Sequence, residues 1–333
     1  MRLTVAMASL TFCSLGHADV YHMSSGQTSL QWVTVGNPGN AANPLDVDPR
    51  TPGDQTRGAV SQAFKIGKYD VTVNQYVEFL NAKDPSGANL LGLYNDRMST
   101  FGGISFQTDN TNGSKYATIS GRGNHPAASV TWFGAVRFTN WLSNGQGSGD
   151  TETGTYTLGP LGVGGVPVNG GTITRNPGAT VFLPSMDEWH KAAYYNPATS
   201  SYFQYPTSSN TAPITSAATS LINHVNSWPN GPNYLTDVGA YSGTTSPYGA
   251  FDMAGNVWQW SDDLFYDMPR GLLGGSFGQD WYQSDFWSVG DPTLISGQVG
   301  FRVAAIVPEP SPFALAILAV ATSFFASRRL RSK

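Results

Sequence analysis

The chain has 333 residues, of which 40% are hydrophobic and only 12% charged, with 38 Gly, 21 Pro and nine Trp. That composition fits a turn-rich globular body with ample core material and argues against a helical bundle or a disordered chain. A net charge of −4 without any basic stripe in the body excludes nucleic acid as an expected partner.

Residues 1–18 carry Arg2, an apolar run broken by small residues, and Gly16-His17-Ala18 before Asp19. This reads as a secretory signal peptide cut after Ala18. A lipoprotein anchor at Cys13 is the alternative, but Phe12 stands where such a signal wants a small residue. Cys13 is the only cysteine, so a processed body holds neither thiol nor disulfide, although export would permit one.

Residues 30–35 alternate as a first strand, 37–56 read as a loop rich in Asn, Pro, Asp and Gly, and 63–69 as a second strand. Thr72 and Gln75 then form a capping box, with Val73, Tyr76, Val77 and Leu80 on one helical face. Residues 83–123 are a long surface excursion with one strand candidate at 115–119, the kind of segment that carries binding specificity. Thr131 caps a second helix that buries Trp132, Ala135, Val136, Trp141 and Leu142 on one side and ends at Ser143-Asn144-Gly145. Residues 144–179 read as a hairpin with arms at 154–158 and 172–175. A second capping box, Ser185 with Glu188, opens a helix backed by Met186, Trp189, Ala192 and Ala193, and Asp187 and Glu188 suit its positive end. Residues 200–234 are irregular and polar. Gly274-Gly275-Ser276-Phe277 and Gly300-Phe301-Arg302-Val303 read as short core strands. Few helices, short strands and long loops make an α+β fold.

The stretch 248–260 has a period of neither two nor 3.6. Gly249 and Gly255 permit turns, and Asp252 and Gln259 bring oxygens in among tryptophans that must be largely buried. Such a knot suits an internal hard-cation site, since calcium takes six to eight oxygens. The alternative is a packed turn whose Asp252 and Asn256 bond only to nearby backbone. His22, His125, His190 and His224 stand singly without metal-ligand spacing and are expected to be structural. The sequence has no Gly-x-Ser-x-Gly elbow and no phosphate-binding loop. The adjacent acids Asp262 and Asp263 are not expected to share a cleft.

Tyr248-Gly249-Ala250-Phe251-Asp252-Met253-Ala254-Gly255-Asn256-Val257-Trp258-Gln259-Trp260 resembles the signature of the formylglycine-generating enzyme family, the sulfatase-modifying factors. Further blocks follow that family's order: Ile66-Gly67-Lys68-Tyr69-Asp70-Val71-Thr72, His125-Pro126 with Val130-Thr131-Trp132, Leu183-Pro184-Ser185, Gly274-Gly275-Ser276-Phe277 and Gly300-Phe301-Arg302. The resemblance covers roughly residues 30–305 and implies a C-type-lectin-like core enlarged by loops. In the family's oxidases a cysteine pair after the Gly-Gly-Ser turn binds copper and uses dioxygen to make formylglycine. The matching places here hold Gln279 and Ser284, and neither supplies the soft thiolate that selects Cu(I). Copper is therefore not expected. The resemblance also implies a structural calcium site on Asp252, the carbonyls of Gly255 and Val257, and Gln259, where the family usually has Glu. A second family site would draw on Asn226 and Asn230.

Val307-Pro308-Glu309-Pro310-Ser311, the apolar run 313–326 and the basic end Arg328-Arg329-Leu330-Arg331-Ser332-Lys333 resemble a PEP-CTERM sorting tail. The resemblance implies export, membrane association through the tail and removal by an exosortase-type protease. A plain single-span anchor is the alternative reading. Setting aside Arg2 and the tail leaves 13 basic residues against 21 acidic ones, so the body is acidic. The organisation expected is signal peptide 1–18, family domain 19–305 and tail 306–333. The expected function is a non-catalytic binding or structural module of the bacterial cell surface with a polysaccharide or protein ligand. Ser276, Trp281, Tyr282, Trp287 and Arg302 are its expected binding residues. The alternative is an enzyme of the same family working in a cleft around Ser276 and Arg302.

Overall fold

The computed structural model describes residues 30–44, 46, 56–265, 268–280 and 287–307. The signal-peptide and sorting-tail readings, and those for Trp281, Tyr282 and Ser284, lie outside the described residues. Among the described residues no helix is long and apolar enough to cross a membrane.

Strands β1 (Trp32–Val35) and β2 (Phe64–Gly67) pair antiparallel and lead into helix α1 (Val73–Lys83). The capping box forms as expected: the Thr72 hydroxyl accepts from the Gln75 N–H and the Gln75 side chain accepts from the Thr72 N–H. The excursion that follows holds a short helix, α2 (Asp96–Thr100), and a hairpin of β3 (Ile104–Phe106) with β4 (Tyr116–Thr118). Helix α3 (Trp132–Ser143) is buried along nearly its whole surface rather than on one side. Its polar residues are absorbed internally. Arg137 pairs with Glu152 at 2.7 Å, and the Asn140 amide brackets the backbone of Tyr156 from both sides.

That bracketing explains why residues 144–179 do not form the expected hairpin. Between the expected arms only one bridge, Tyr156 to Arg175, forms. Side chains satisfy the neighbouring backbone groups, and the Arg175 guanidinium turns in to Glu188 and Asp262 instead of lying along a ladder. β5 (Val181–Phe182) then precedes α4 (Met186–Tyr194), whose Ser185–Glu188 capping box is present.

Two minor pairs follow, β6 (Tyr195–Asn196) with β7 (Ser201–Tyr202), and β8 (Ile214–Thr215) with β9 (His224–Val225). The last strands are β10 (Trp258–Leu264), β11 (Arg270–Leu273), β12 (Ser288–Gly290), β13 (Val299–Gly300) and β14 (Ala304–Ile306). One sheet runs β1-β2-β14-β5 and the other β12-β11-β10-β13, with β13 parallel to β10. The knot thus ends as a strand, since Trp258, Gln259 and Trp260 belong to β10. Residues 274–277 are a turn and not a strand. Gly274 and Gly275 have φ of 91° and 70°, a region open to glycine at no steric cost. A Cβ on Gly274 would stand 3.1 Å from the Trp189 ring.

Helices α1 and α3 meet in an aromatic cluster. Phe138 lies 5.4 Å from Phe79, 5.7 Å from Trp141 and 5.3 Å from Phe301, centroid to centroid, and is fully buried. On the other side Phe64, Ile66, Phe182, Trp189 and Leu273 form a second core beneath α4. The Phe138→Ala variant should unfold with a stability loss of about 3–5 kcal/mol, read by urea denaturation, because the cluster cannot collapse around the void.

Candidate functional site

The residues singled out in the sequence gather where the end of β2, the 248–260 knot and the β13–β14 junction meet. Arg302, which links those two strands, is completely buried. Its Nε donates to Gln259 Oε1 at 2.6 Å, its Nη1 to the Gly67 carbonyl at 2.6 Å, and its Nη2 to Asp70 Oδ1 at 2.9 Å and the Phe251 carbonyl at 2.7 Å. One guanidinium thus ties the two sheets together through charge-assisted bonds.

Gln259 is equally buried. Its Oε1 also accepts from Trp189 Nε1 at 2.6 Å, and its Nε2 donates to the Asp252 carbonyl at 2.8 Å. The indole and guanidinium nitrogens can only donate, so the amide oxygen must face them and the amide nitrogen must face Asp252. This bears on the calcium site that the resemblance implies. A cation at Asp252, Gly255, Val257 and Gln259 needs an oxygen from Gln259, but that oxygen is committed to two donors and an N–H group points toward the knot instead. The donor set does not fit calcium at this place. Asp252 takes φ of 55°, and its Oδ2 accepts from the Gly239 N–H at 2.7 Å. At the second implied site, Asn226 Oδ1 is buried without a hydrogen-bond partner, while Asn230 is exposed. One oxygen is far short of a calcium cage. Among the described residues no cluster of His, Cys, Asp or Glu has metal-binding geometry.

The two expected binding residues Ser276 and Arg302 do not line a common cleft. Both are fully buried, and the Ser276 hydroxyl donates to Gln298 Oε1 at 2.6 Å. Trp287 packs rather than projects: its ring stacks on Phe265 at 4.7 Å and lies under the Arg57 guanidinium at 4.7 Å. Gln279 Oε1 accepts from Trp258 Nε1 at 2.6 Å. Beside this turn opens a cavity of about 410 Å³ whose wall includes Phe277 and Gln298. Its other walls come from α2 and from residues 122–125 and 233–235. The sequence singled out His125-Pro126 as a block but gave no signal that Arg97, Arg122 and Tyr234 converge on it.

The titratable groups follow from burial. Burial pushes the Asp70 carboxyl up to about 8 although Arg302 pulls it down; its Oδ2 has lost water without gaining a partner. Burial likewise raises Asp252 to about 6 against the Gly239 N–H and Arg302, and Asp262 to about 7 against Arg175. His190, buried near Arg57, is pushed down to about 3, and Lys191 down to about 8.

Two outcomes are expected. A carboxyl raised in the native state binds its proton there while the unfolded carboxyl, with a pKa near 4, has lost it. Between pH 6.5 and pH 7.5 the native state therefore holds more protons than the unfolded one, and stability falls as pH rises. His190 opposes this mainly below pH 6.5 and Lys191 above pH 8, so a Tm series across that one unit should decline. In the second test, wild-type Tm should be equal in EDTA and in millimolar calcium. Gln259→Glu should lower Tm in EDTA and recover it with calcium, because a carboxylate oxygen facing the Asp252 carbonyl needs a cation between them. Leaving that contact unmade costs about 1–3 kcal/mol.

The chain was compared with known proteins. Residues 24–307 match the model of the sulfatase-modifying factor enzyme 1-like domain. No curated protein matches the chain. Among solved structures, variable protein 1 of Treponema denticola superposes with a TM-score of 0.56 at 19% identity, covering 86% of this chain and 98% of that one. CarF superposes with a TM-score of 0.55 at 18% identity, covering 84% of this chain and 99% of that one. At such identities the likeness concerns the fold, which is the α+β, C-type-lectin-like arrangement of short strands and long loops described above. The chain belongs to the sulfatase-modifying factor enzyme 1-like domain family.

Proposed function

We propose that this protein is a non-catalytic ligand-binding module, exported to the cell envelope and held there before its tail is processed. The single observation that carries the reading is the bond from Trp258 to Gln279. Where the family's oxidases present a thiolate, this chain presents an amide whose oxygen is engaged in the protein interior. An amide lacks the softness for Cu(I) and does not ionise near neutral pH as a thiol does. The hydroxyl of Ser276 donates to Gln298 rather than to a base, so it is not an activated nucleophile. The only cysteine of the chain is Cys13. Export and envelope attachment rest on the pattern of residues 1–18 and 308–333, and the ligand site is the cavity beside the turn.

The rigid frame suits that role. The cavity wall at Phe277 and Gln298 hangs from the Gly-Gly-Ser turn and from β13, both anchored in the second sheet. A site on such supports keeps its shape without ligand and so loses little ordering entropy on binding.

The decisive test is an oxidase assay. Full-length protein loaded with Cu(I) under oxygen, given a cysteine-bearing sulfatase-type peptide, should yield no aldehyde by mass spectrometry. A peptide aldehyde, or any turnover abolished by Gln279→Ala, would establish the enzyme reading instead.

A further inference from the structure

The cavity beside the Gly-Gly-Ser turn has a wall chemistry that names a ligand class. Arg97, from the exposed helix α2, makes no side-chain hydrogen bond or ion pair among the described residues. Arg122 donates only to the Phe101 carbonyl, at 3.2 Å. Arg57, Arg137, Arg175 and Arg302 behave otherwise, each placing its guanidinium on a carboxylate within 2.9 Å. Arg270, fully buried, donates to backbone carbonyls and lies over Trp132. The two arginines without a buried partner both line the same cavity, and no carboxylate lines it among the described residues. Asp237 stands 3.6 Å from His125 Nε2, and burial holds His125 below its ordinary value. The positive charge of the cavity is therefore that of the arginines.

Between the cations lie flat apolar surfaces and neutral hydrogen-bonding groups. Phe101 is 52% exposed and Tyr234 64% exposed, with Phe277 half-buried beside them. Of the exposed aromatic rings Phe101, Phe106, Trp228 and Tyr234, two line this cavity. The amides of Asn233 and Gln298 and the hydroxyls of Thr100 and Ser296 complete the wall. Aromatic faces that accept the apolar face of a ring, amides and hydroxyls that accept and donate to alcohols, and guanidiniums that fork onto a carboxylate are together what a uronic acid residue requires. A long aliphatic acid would leave the amides and hydroxyls unmatched. A neutral sugar would leave both guanidiniums unused. A volume of about 410 Å³ is at the lower end of small-molecule sites, enough for one or two sugar rings.

We propose that this cavity binds acidic saccharide, one or two uronate-bearing residues of a polysaccharide chain, with Arg97 and Arg122 on the carboxylate and Tyr234 and Phe101 under the ring. This rests on the binding-module reading and gives it a substrate class. Phe101 and Tyr234 on its wall are largely exposed, so the site is accessible from solvent.

The test uses full-length protein and isothermal calorimetry with digalacturonate, its dimethyl ester and tetraalanine. Digalacturonate should bind, and the neutral ester should bind about tenfold more weakly, as expected for losing a charged hydrogen bond. Raising the salt should weaken only the acid. Arg97→Ala, at an exposed position, should leave Tm unchanged and cost about tenfold in affinity for the acid alone, since charge-assisted bonds carry that discrimination. Tyr234→Ala should weaken acid and ester alike. Equal binding of acid and ester, unaffected by Arg97→Ala, would overturn the acidic class while leaving a binding module. Tighter binding of tetraalanine than of digalacturonate would overturn the saccharide in favour of a peptide terminus. Binding of none of the three would overturn the proposal. Breakdown of digalacturonate, followed by mass spectrometry of the same samples, would instead overturn the non-catalytic reading itself.

Discussion

The structure turns on one buried cation. Arg302 joins the end of β2, the loop carrying Asp70, the knot and the start of β14, and no water is within reach to replace any of these bonds. A buried guanidinium is tolerable only when its donors are all spoken for, and removing one partner of such a pair costs about 3–5 kcal/mol because the other charge is stranded. The fork geometry of arginine suits the place, since Gln259, Gly67, Asp70 and Phe251 approach from different directions that a lysine could not satisfy. Both sheets also contribute side chains to the two apolar cores, and Arg302 adds the polar link between them.

The same cation decides how the knot is held. Arg302 and Trp189 are donors, so they orient the Gln259 amide with its nitrogen toward Asp252. A carboxylate in that position would satisfy the same two donors and leave a second oxygen facing the Asp252 carbonyl. Two oxygens in contact call for a cation between them, whereas an N–H facing a carbonyl needs nothing further. With Gln at this position the contact to the Asp252 carbonyl is a direct hydrogen bond. Burial raises the proton affinities of Asp70 and Asp252, and the one guanidinium near both only partly offsets it.

Local signals in the sequence were enough for the three longer helices, though not for the short α2. The capping boxes Thr72–Gln75 and Ser185–Glu188 involve residues three apart, and both formed. The reading failed where the partner is distant. Arg137 and Asn140 mark a polar side of α3, yet Glu152 and Tyr156 cover it. The expected arms at 154–158 and 172–175 have the composition of strands, but their backbone groups are taken by the Asn140 amide and their Arg175 by two carboxylates. At the candidate site the change from Glu to Gln was visible as one letter. Its consequence was not, because the orienting donors lie 70 and 43 residues away along the chain. The tryptophans were expected to be buried, and Trp258 and Trp260 are, but Trp287 was expected at a binding face and instead stacks on Phe265.

The cavity was illegible for the same reason, since five separate segments build its wall, and its charge runs against that of the molecule. Acidic residues outnumber basic ones in the body, so a guanidinium there readily finds a carboxylate, as four of the buried or half-buried arginines do. Arg97 and Arg122 keep solvent contact instead. That arrangement avoids the desolvation that a buried unpaired charge would suffer and leaves donors whose present partner is mostly water. Exchange of that water for a ligand oxygen is then nearly neutral in hydrogen-bond count, and the discrimination comes from the fixed positions of the two forks. The acidic exterior adds a second effect. A net acidic body disfavours polyanions in general, so an acidic polymer would be steered toward a place where its charge is matched. Affinity at the cavity and repulsion around it would together select for a single bound segment of the chain rather than a film of polymer over the surface.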